Sequence, residues 1–112
     1  METNNQKKII GVALYELIGT SLMMYAFMVS AYRIALYNVA VATTGVLMFI
    51  AWDVSGGHFN PAITLGVFIA NLKDAGKNLV IMLVMIVSQF IGAFAGLFWG
   101  WLAICDYTWK DN

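Results

Sequence analysis

Charge is scarce in this chain, and so are the residue types from which most enzyme sites are built. Of 112 residues, 11% are charged, and six Lys and Arg balance six Asp and Glu. This balance provides no basic surface for nucleic acid. The single histidine and single cysteine provide no metal-ligand cluster, no internal disulfide and no nucleophile–base pair. We therefore expect a protein that is not an enzyme and holds no metal and no cofactor.

Long hydrophobic runs account for most of the sequence. Hydrophobic residues make up 62% of it, more than the core of a water-soluble domain of this size can bury. Crossing the roughly 30 Å hydrocarbon layer takes about 20 apolar residues of helix. Three stretches reach that length, residues 9–32, about 36–54 and about 79–104. We therefore predict an all-α, multi-pass integral membrane protein with three transmembrane helices.

The distribution of basic residues indicates how these helices are oriented. Lys and Arg near helix ends resist translocation, whereas carboxylates matter little. Four basic residues fall on one side of the predicted helices and two on the other, namely Lys7, Lys8, Lys73 and Lys77 against Arg33 and Lys110. This bias favours an N-terminus on the cytoplasmic or matrix side.

Residues 55–71, between the second and third long helices, predict a re-entrant loop followed by a half-helix. Apolar residues follow helical spacing after Pro61, which suits the first position of a helix, and Asn60 is a natural N-cap. A helix of about 11 residues covers only about 16 Å, half of what a bilayer requires. Gly56 and Gly57 permit the unusual backbone dihedrals that such a loop needs. The segment can enter the membrane but cannot cross it.

Glu16 lies near the middle of the first apolar run. A bare carboxylate at that depth is costly and must find hydrogen-bond donors or become protonated. The backbone N–H groups of the Gly-rich stretch before Asn60 are available donors. Glu16 is thus interpreted as a support for that loop, with a proton carrier as the alternative.

The start of the half-helix carries a defined pattern of donors and acceptors. Its exposed N–H groups and the helix dipole create roughly half a positive charge, which disfavours cations. The side-chain amide of Asn60 adds a donor, and the carbonyl groups of residues 56–59 could line a path as acceptors. This combination suits small neutral polar molecules moving in single file.

Three glycines recur every fourth residue in the last apolar run, at Gly92, Gly96 and Gly100. Small residues at this spacing allow another helix to approach closely in a membrane. We expect close helix packing on this face, and the sequence leaves the partner helix open.

The string Ser-Gly-Gly-His-Phe-Asn-Pro-Ala-Ile-Thr at residues 55–64 resembles the first Asn-Pro-Ala loop of the aquaporin and glycerol-facilitator family. Two further motifs follow the order of that family: Glu16 with Gly19 and Thr20 in the first helix, and Gln89 with Gly92 and Ala93 in the third. The family fold has six helices and two half-helices in two inverted repeats. The resemblance therefore implies a single domain over residues 1–112 that forms half of an aquaporin-like fold.

The resemblance also implies a role for each matching residue. Pore-lining positions would be Gly56, Gly57, His58, Phe59, Asn60, Pro61 and Ala62, of which the last three would form one half of the central constriction. Glu16 and Gln89 would brace the loop. The narrow-filter position of the second helix would fall at Ala40, where the family often has an aromatic residue. A small residue there argues against a tight water-only filter.

Two functions are compatible with these features. In the first, the chain is a subunit of a membrane channel for water or small neutral solutes, and a second aquaporin-like half, from another copy or a different polypeptide, completes the pore. In the second, it is a non-conducting structural subunit of a larger membrane complex. A truncated product without function is a third alternative. The intact pore-forming string favours the channel, because a pure scaffold has no need of Asn60.

Overall fold

The fold is a set of helices that differ sharply in length. A computed structural model describes residues 2–32 and 37–110, with side chains described for residues 5–32, 37–73 and 75–105. The helices are α1 (Glu2–Tyr32), α2 (Tyr37–Ser55), α3 (Pro61–Ala70) and α4 (Ala75–Lys110), with a 3-10 turn at Leu72–Asp74 between the last two.

Three helices within these ranges are long and apolar enough to cross a membrane, over Asn5–Tyr32, Tyr37–Ser55 and Ala75–Cys105. The ten residues of α3 are apolar but too few to do so. The described residues contain no strand. These elements confirm the predicted all-α membrane fold of three spanning helices and one shorter apolar helix.

Two helices extend beyond the bounds expected from the sequence. α1 begins at Glu2 instead of residue 9, and α4 runs from Ala75 to Lys110 instead of 79–104. The expectation counted apolar residues, whereas polar residues continue a helix outside the hydrocarbon layer, where water satisfies their side chains. At about 1.5 Å per residue, α4 is therefore longer than the bilayer core is thick. The expected start of α2 near residue 36 and the position of Arg33 lie outside the described residues.

α1 and α4 form the closest helix pair. An added Cβ on Gly92 would overlap the backbone carbonyl of Leu17, and one on Gly96 would overlap that of Ser21. Residue numbers rise together along both helices, so α1 and α4 run parallel. The predicted close packing of the glycine face is confirmed, and its partner is α1. Such contact brings Cα–H groups against carbonyl oxygens, which favours helix association where lipid supplies no hydrophobic driving force.

α2 and α3 each pack against a different helix of this pair. α2 lies against α1, with Val54 near Gly11, while α3 lies against α4. Much of the outer surface is apolar, and Phe49 on α2 is 84% exposed. Because few apolar residues are buried, the fold relies on close backbone contact and polar contacts more than on a hydrophobic core.

A glycine-to-alanine pair tests the close approach of α1 and α4. In Gly92→Ala the methyl group meets the backbone of Leu17, which cannot rotate aside, so we expect a loss of about 1–3 kcal/mol. Gly76→Ala is the matched control, because nothing lies within 4 Å of a Cβ at that position and alanine is the better helix former. Thermal unfolding in mild detergent measures both. Equal stability of the two variants would contradict the packing.

Candidate functional site

The polar loop between α2 and α3 is held in a left-handed backbone conformation. Gly56 has φ +86°, Gly57 has φ +61° and Phe59 has φ +46°. Glycine adopts such angles without steric cost. At Gly57 the space is also restricted, because an added Cβ would lie 2.8 Å from the carbonyl oxygen of Met48.

Phe59 adopts this conformation although it carries a side chain, which costs roughly 1–2 kcal/mol. Two contacts offset that cost. Its backbone N–H donates to Glu16 Oε2 at 2.8 Å, and its ring is 3% exposed and packs against Gly19. An added Cβ on Gly19 would overlap the ring, so the small residue in α1 and the strained one in the loop fit together.

Glu16 is fully buried, at 0% exposure, and accepts four hydrogen bonds. Oε1 accepts from Ser55 Oγ at 2.6 Å and from the His58 N–H at 3.0 Å. Oε2 accepts from the Phe59 N–H at 2.8 Å and from Gln89 Nε2 at 2.7 Å. An ionised carboxylate is an acceptor with about four sites, and each site has a donor here. α1, the loop and α4 therefore meet at this one group.

Asn60 is the N-cap of α3, as its sequence position predicted. Its backbone is extended, its Oδ1 accepts from the Ala62 N–H at 2.8 Å, and Pro61 occupies the first helical position. Asn60 is exposed. Within the described part of the chain its amide nitrogen makes no hydrogen bond, so the N–H₂ group is available as a donor.

The backbone of residues 56–59 pairs its donors and leaves its acceptors unpaired. Gly56 N–H donates to α2 carbonyls at 3.2 and 3.1 Å, Gly57 N–H donates to Ser55 Oγ at 3.2 Å, and the next two N–H groups bind Glu16. Among the described residues, none of the four carbonyls of this stretch accepts a hydrogen bond. Because a carbonyl points opposite to the next N–H group in a trans peptide, the carbonyls of Gly57 and His58 are directed away from Glu16.

Two further polar residues hold this site and were not singled out from the sequence. Ser55 Oγ donates to Glu16 and accepts from the Gly57 N–H. Thr64 is 2% exposed and contacts His58, Asn60 and Gln89. One signal could have found Thr64, because it is the only polar side chain in α3 and a buried hydroxyl requires partners.

Ala40 does not share these surroundings. Its side chain is at 0% exposure and lies three helical turns from Ala51, the other buried residue of α2, which places both on the face toward α1. Its small side chain therefore lies in a helix contact within this chain, and the expectation that Ala40 lines the pore stays a prediction.

A cavity of about 640 Å³ lies between α3, the 3-10 turn and α4. Its inner end is polar, with Ser55, His58 and Thr64, and its walls include Met82 and Met85. Asn71 and Lys73 lie at the other end, beyond α3. The loop is therefore reached from open space along the side of the half-helix.

These features define an all-α membrane protein with three helices long enough to span the bilayer and a shorter apolar helix that begins at an Asn-Pro-Ala sequence. The chain matches the family model of the major intrinsic proteins over residues 4–104, and it belongs to that family. Members of this family are channels and not enzymes, in agreement with the expectation from the sequence.

Plant aquaporins are among the curated relatives. The chain is 44% identical to the probable aquaporin PIP2-7 of Oryza sativa subsp. japonica over 55 residues, which cover 49% of this chain and 18% of that protein. It is 32% identical to aquaporin PIP2-7 of Musa acuminata over 97 residues, which cover 73% of this chain and 33% of that protein. The chain spans a third or less of the length of these relatives. No solved structure matches it.

Glu16→Gln tests how far the loop depends on the carboxylate. The amide nitrogen cannot accept, so it would face two donors and leave them unpaired, and we expect a loss of about 3 kcal/mol or more. The readouts are the folded yield and thermal unfolding in mild detergent. Asp53→Asn is the matched control, since Asp53 is exposed, and it should change stability by less than about 0.5 kcal/mol. A proton carrier without a structural role would fold normally as Glu16→Gln, which would contradict this assignment.

Proposed function

We propose that this chain forms one half of a membrane channel for water or small neutral solutes, and that a second aquaporin-like half from another chain completes the pore. The observation that carries the proposal is the polarity of the loop. Its N–H groups are directed inward and paired, while its carbonyls and the Asn60 amide N–H₂ are unpaired among the described residues. Such groups need polar molecules beside them at membrane depth.

The proposed path follows from these groups. The carbonyls of residues 56–59 line it as acceptors, and Asn60, Pro61 and Ala62 form one half of the central constriction. A neutral molecule with O–H groups donates to the carbonyls and accepts from Asn60. The positive end of α3 disfavours cations, so neutral solutes are the substrates that fit. Glu16 and Gln89 brace the loop from the opposite side.

The proposed second half accounts for the surfaces around the loop. Asn60, Ala62, Ile63 and Leu65 are exposed at the start of α3. Non-helical backbone at membrane depth is tolerated only when protein buries it or it lines a watery cavity. A second half supplies the missing cover. The comparisons give no support to the alternative of a non-conducting subunit.

The partner is another copy of this chain or a different polypeptide. Two copies would reproduce an inverted repeat only if they inserted in opposite orientations. The excess of basic residues on one side opposes such dual insertion. A different polypeptide therefore meets the orientation requirement more simply.

Asn60→Asp tests conduction. Replacing the free N–H₂ donor with a carboxylate oxygen removes one hydrogen bond to the solute, about 1 kcal/mol, so we expect flux to fall about fivefold or more. Water and glycerol flux are measured by light scattering in proteoliposomes that contain the complex purified from its native membrane. Asn5→Asp, the same change at an exposed position near the start of α1, should leave flux unchanged. No flux in the unmodified complex, or equal flux in both variants, would refute the channel.

We also infer that the N-terminus faces the cytoplasm or the matrix. Lys7 and Lys8 lie near the start of α1, and Lys73 and Lys77 lie near the start of α4, which runs parallel to it. Four positive charges thus cluster at one end of the bundle, the pattern of a cytoplasmic side.

Thiol labelling tests this orientation. In sealed membranes, an Asn5→Cys variant in a Cys105→Ser background should react with a membrane-impermeant reagent only when the cytoplasmic or matrix side is open. Labelling from the opposite side would reverse the assignment, and labelling from both sides would indicate dual insertion.

A further inference from the structure

Thr64 joins three parts of the site through one hydroxyl group. Its Oγ1 lies 2.8 Å from Gln89 Nε2 on α4, 3.1 Å from the Asn60 carbonyl oxygen and 3.1 Å from His58 Nδ1 in the loop. A hydroxyl has one proton and two acceptor sites. The three contacts therefore restrict where the protons of the neighbouring groups can be.

The contact with Gln89 is fixed by Glu16. The carboxylate only accepts, so the Gln89 group at 2.7 Å from Oε2 must be its N–H₂. The second hydrogen of the same nitrogen is directed to Thr64. Thr64 therefore accepts from Gln89 and has one proton and one acceptor site left for Asn60 and His58.

The hydroxyl proton of Thr64 can be donated either to His58 Nδ1 or to the Asn60 carbonyl oxygen, and the two choices have different consequences. If Thr64 donated to His58 Nδ1, its oxygen would lie 3.1 Å from the Asn60 carbonyl oxygen with no hydrogen between the two. If it donates to Asn60, all three contacts are hydrogen bonds, provided that His58 Nδ1 carries a proton. Assigning a tautomer by satisfying the hydrogen-bond network is the usual procedure for histidine, and only the second arrangement satisfies every contact.

We propose that Thr64 is a positioning residue that holds His58 as the neutral tautomer protonated on Nδ1, so that Nε2 is an acceptor. His58 lines the cavity beside α3. The buried polar atoms without a partner among the described residues are Thr20 Oγ1 and Gln89 Oε1, so Nε2 is not a buried atom that lacks a partner. Gly56 keeps the space clear, because a Cβ there would lie 3.1 Å from Nε2.

The consequence for transport rests on the proposed function. With Nε2 as an acceptor, the His58 side chain accepts hydrogen bonds from molecules in the cavity and donates none to them. The solutes that fit are neutral molecules with O–H or N–H groups to donate. The Nδ1 contact thereby makes Thr64 a specificity-determining residue that acts through His58, although Thr64 also lines the cavity.

The test uses the single histidine of the chain, which makes ¹⁵N-histidine labelling specific for His58. Nitrogen NMR spectra are recorded for the full chain in lipid bilayers at about pH 8, above the usual titration range of histidine. We expect a directly bonded proton on Nδ1 and none on Nε2. A proton on Nε2, an exchanging mixture of tautomers or a doubly protonated ring would overturn the proposal.

Two threonine substitutions separate positioning from general packing. Thr64→Val removes the hydroxyl at nearly constant volume and should abolish the preference for Nδ1–H, whereas Thr64→Ser keeps the hydroxyl and should retain it. Thr20→Val is the matched control, because Thr20 is equally buried but its hydroxyl has no partner in the described residues, and the His58 spectrum should not change. If Thr64→Val does not fold, the unmodified chain and Thr64→Ser still decide the tautomer.

Flux separates this proposal from the channel itself. In the purified complex, Thr64→Val should conduct less water than Thr64→Ser. Equal flux in the two variants would overturn the effect on specificity. Absence of flux in the unmodified complex would refute the channel and leave the tautomer assignment to stand or fall on the spectra alone.

Discussion

The burial of Glu16 is the constraint on which the rest of the site depends. A carboxylate in the middle of a membrane-spanning helix is costly unless each acceptor site is filled, and its partners must come from elsewhere in the chain. They come from the end of α2, the loop and α4, at Ser55, His58, Phe59 and Gln89. One charge in α1 therefore fixes the relative positions of three other segments.

The same constraint determines what the loop presents on its other side. To bring successive N–H groups to Glu16, the backbone turns through left-handed conformations at Gly56, Gly57 and Phe59. The carbonyls of Gly57 and His58, opposite those N–H groups in their peptide planes, are then directed away from the carboxylate, and within the described residues nothing donates to them. The polar surface proposed for solutes thus results from the backbone conformation that supplies hydrogen-bond donors to the buried carboxylate. This coupling explains why changes at Glu16 are expected to affect folding before they affect selectivity.

Sequence reasoning predicted the features that a residue's own chemistry dictates. It missed the features that depend on contacts with residues distant in the sequence. Apolar length predicted the three spans, and the Asn60–Pro61 pair predicted the start of α3. Helix ends could not be placed, because polar residues continue a helix beyond the membrane without an apolar signal. Thr64 was missed because the partner that buries it, Gln89, lies in another helix, while its other two partners are in the loop before α3. The burial of Ala40 depends on which face of α2 lies against α1, which the sequence alone does not reveal, and its role in the pore stays a prediction.

Two kinds of contact hold the helices together. One is the close packing at the glycines of α4, and the other is the set of hydrogen bonds around Glu16. Glycines at 92, 96 and 100 let α4 contact α1 through backbone and small groups, a device that works in lipid because it needs no hydrophobic driving force. The hydrogen bonds around Glu16 stabilise the bundle because a buried polar group without a partner raises the free energy of the folded state. The two meet where Gln89 precedes Gly92 by one helical turn, so close packing brings the amide within reach of the carboxylate. Separating α1 from α4 would therefore also free the loop, so the geometry of the polar site depends on small residues that lie in the helix contact and not on the surface of the site.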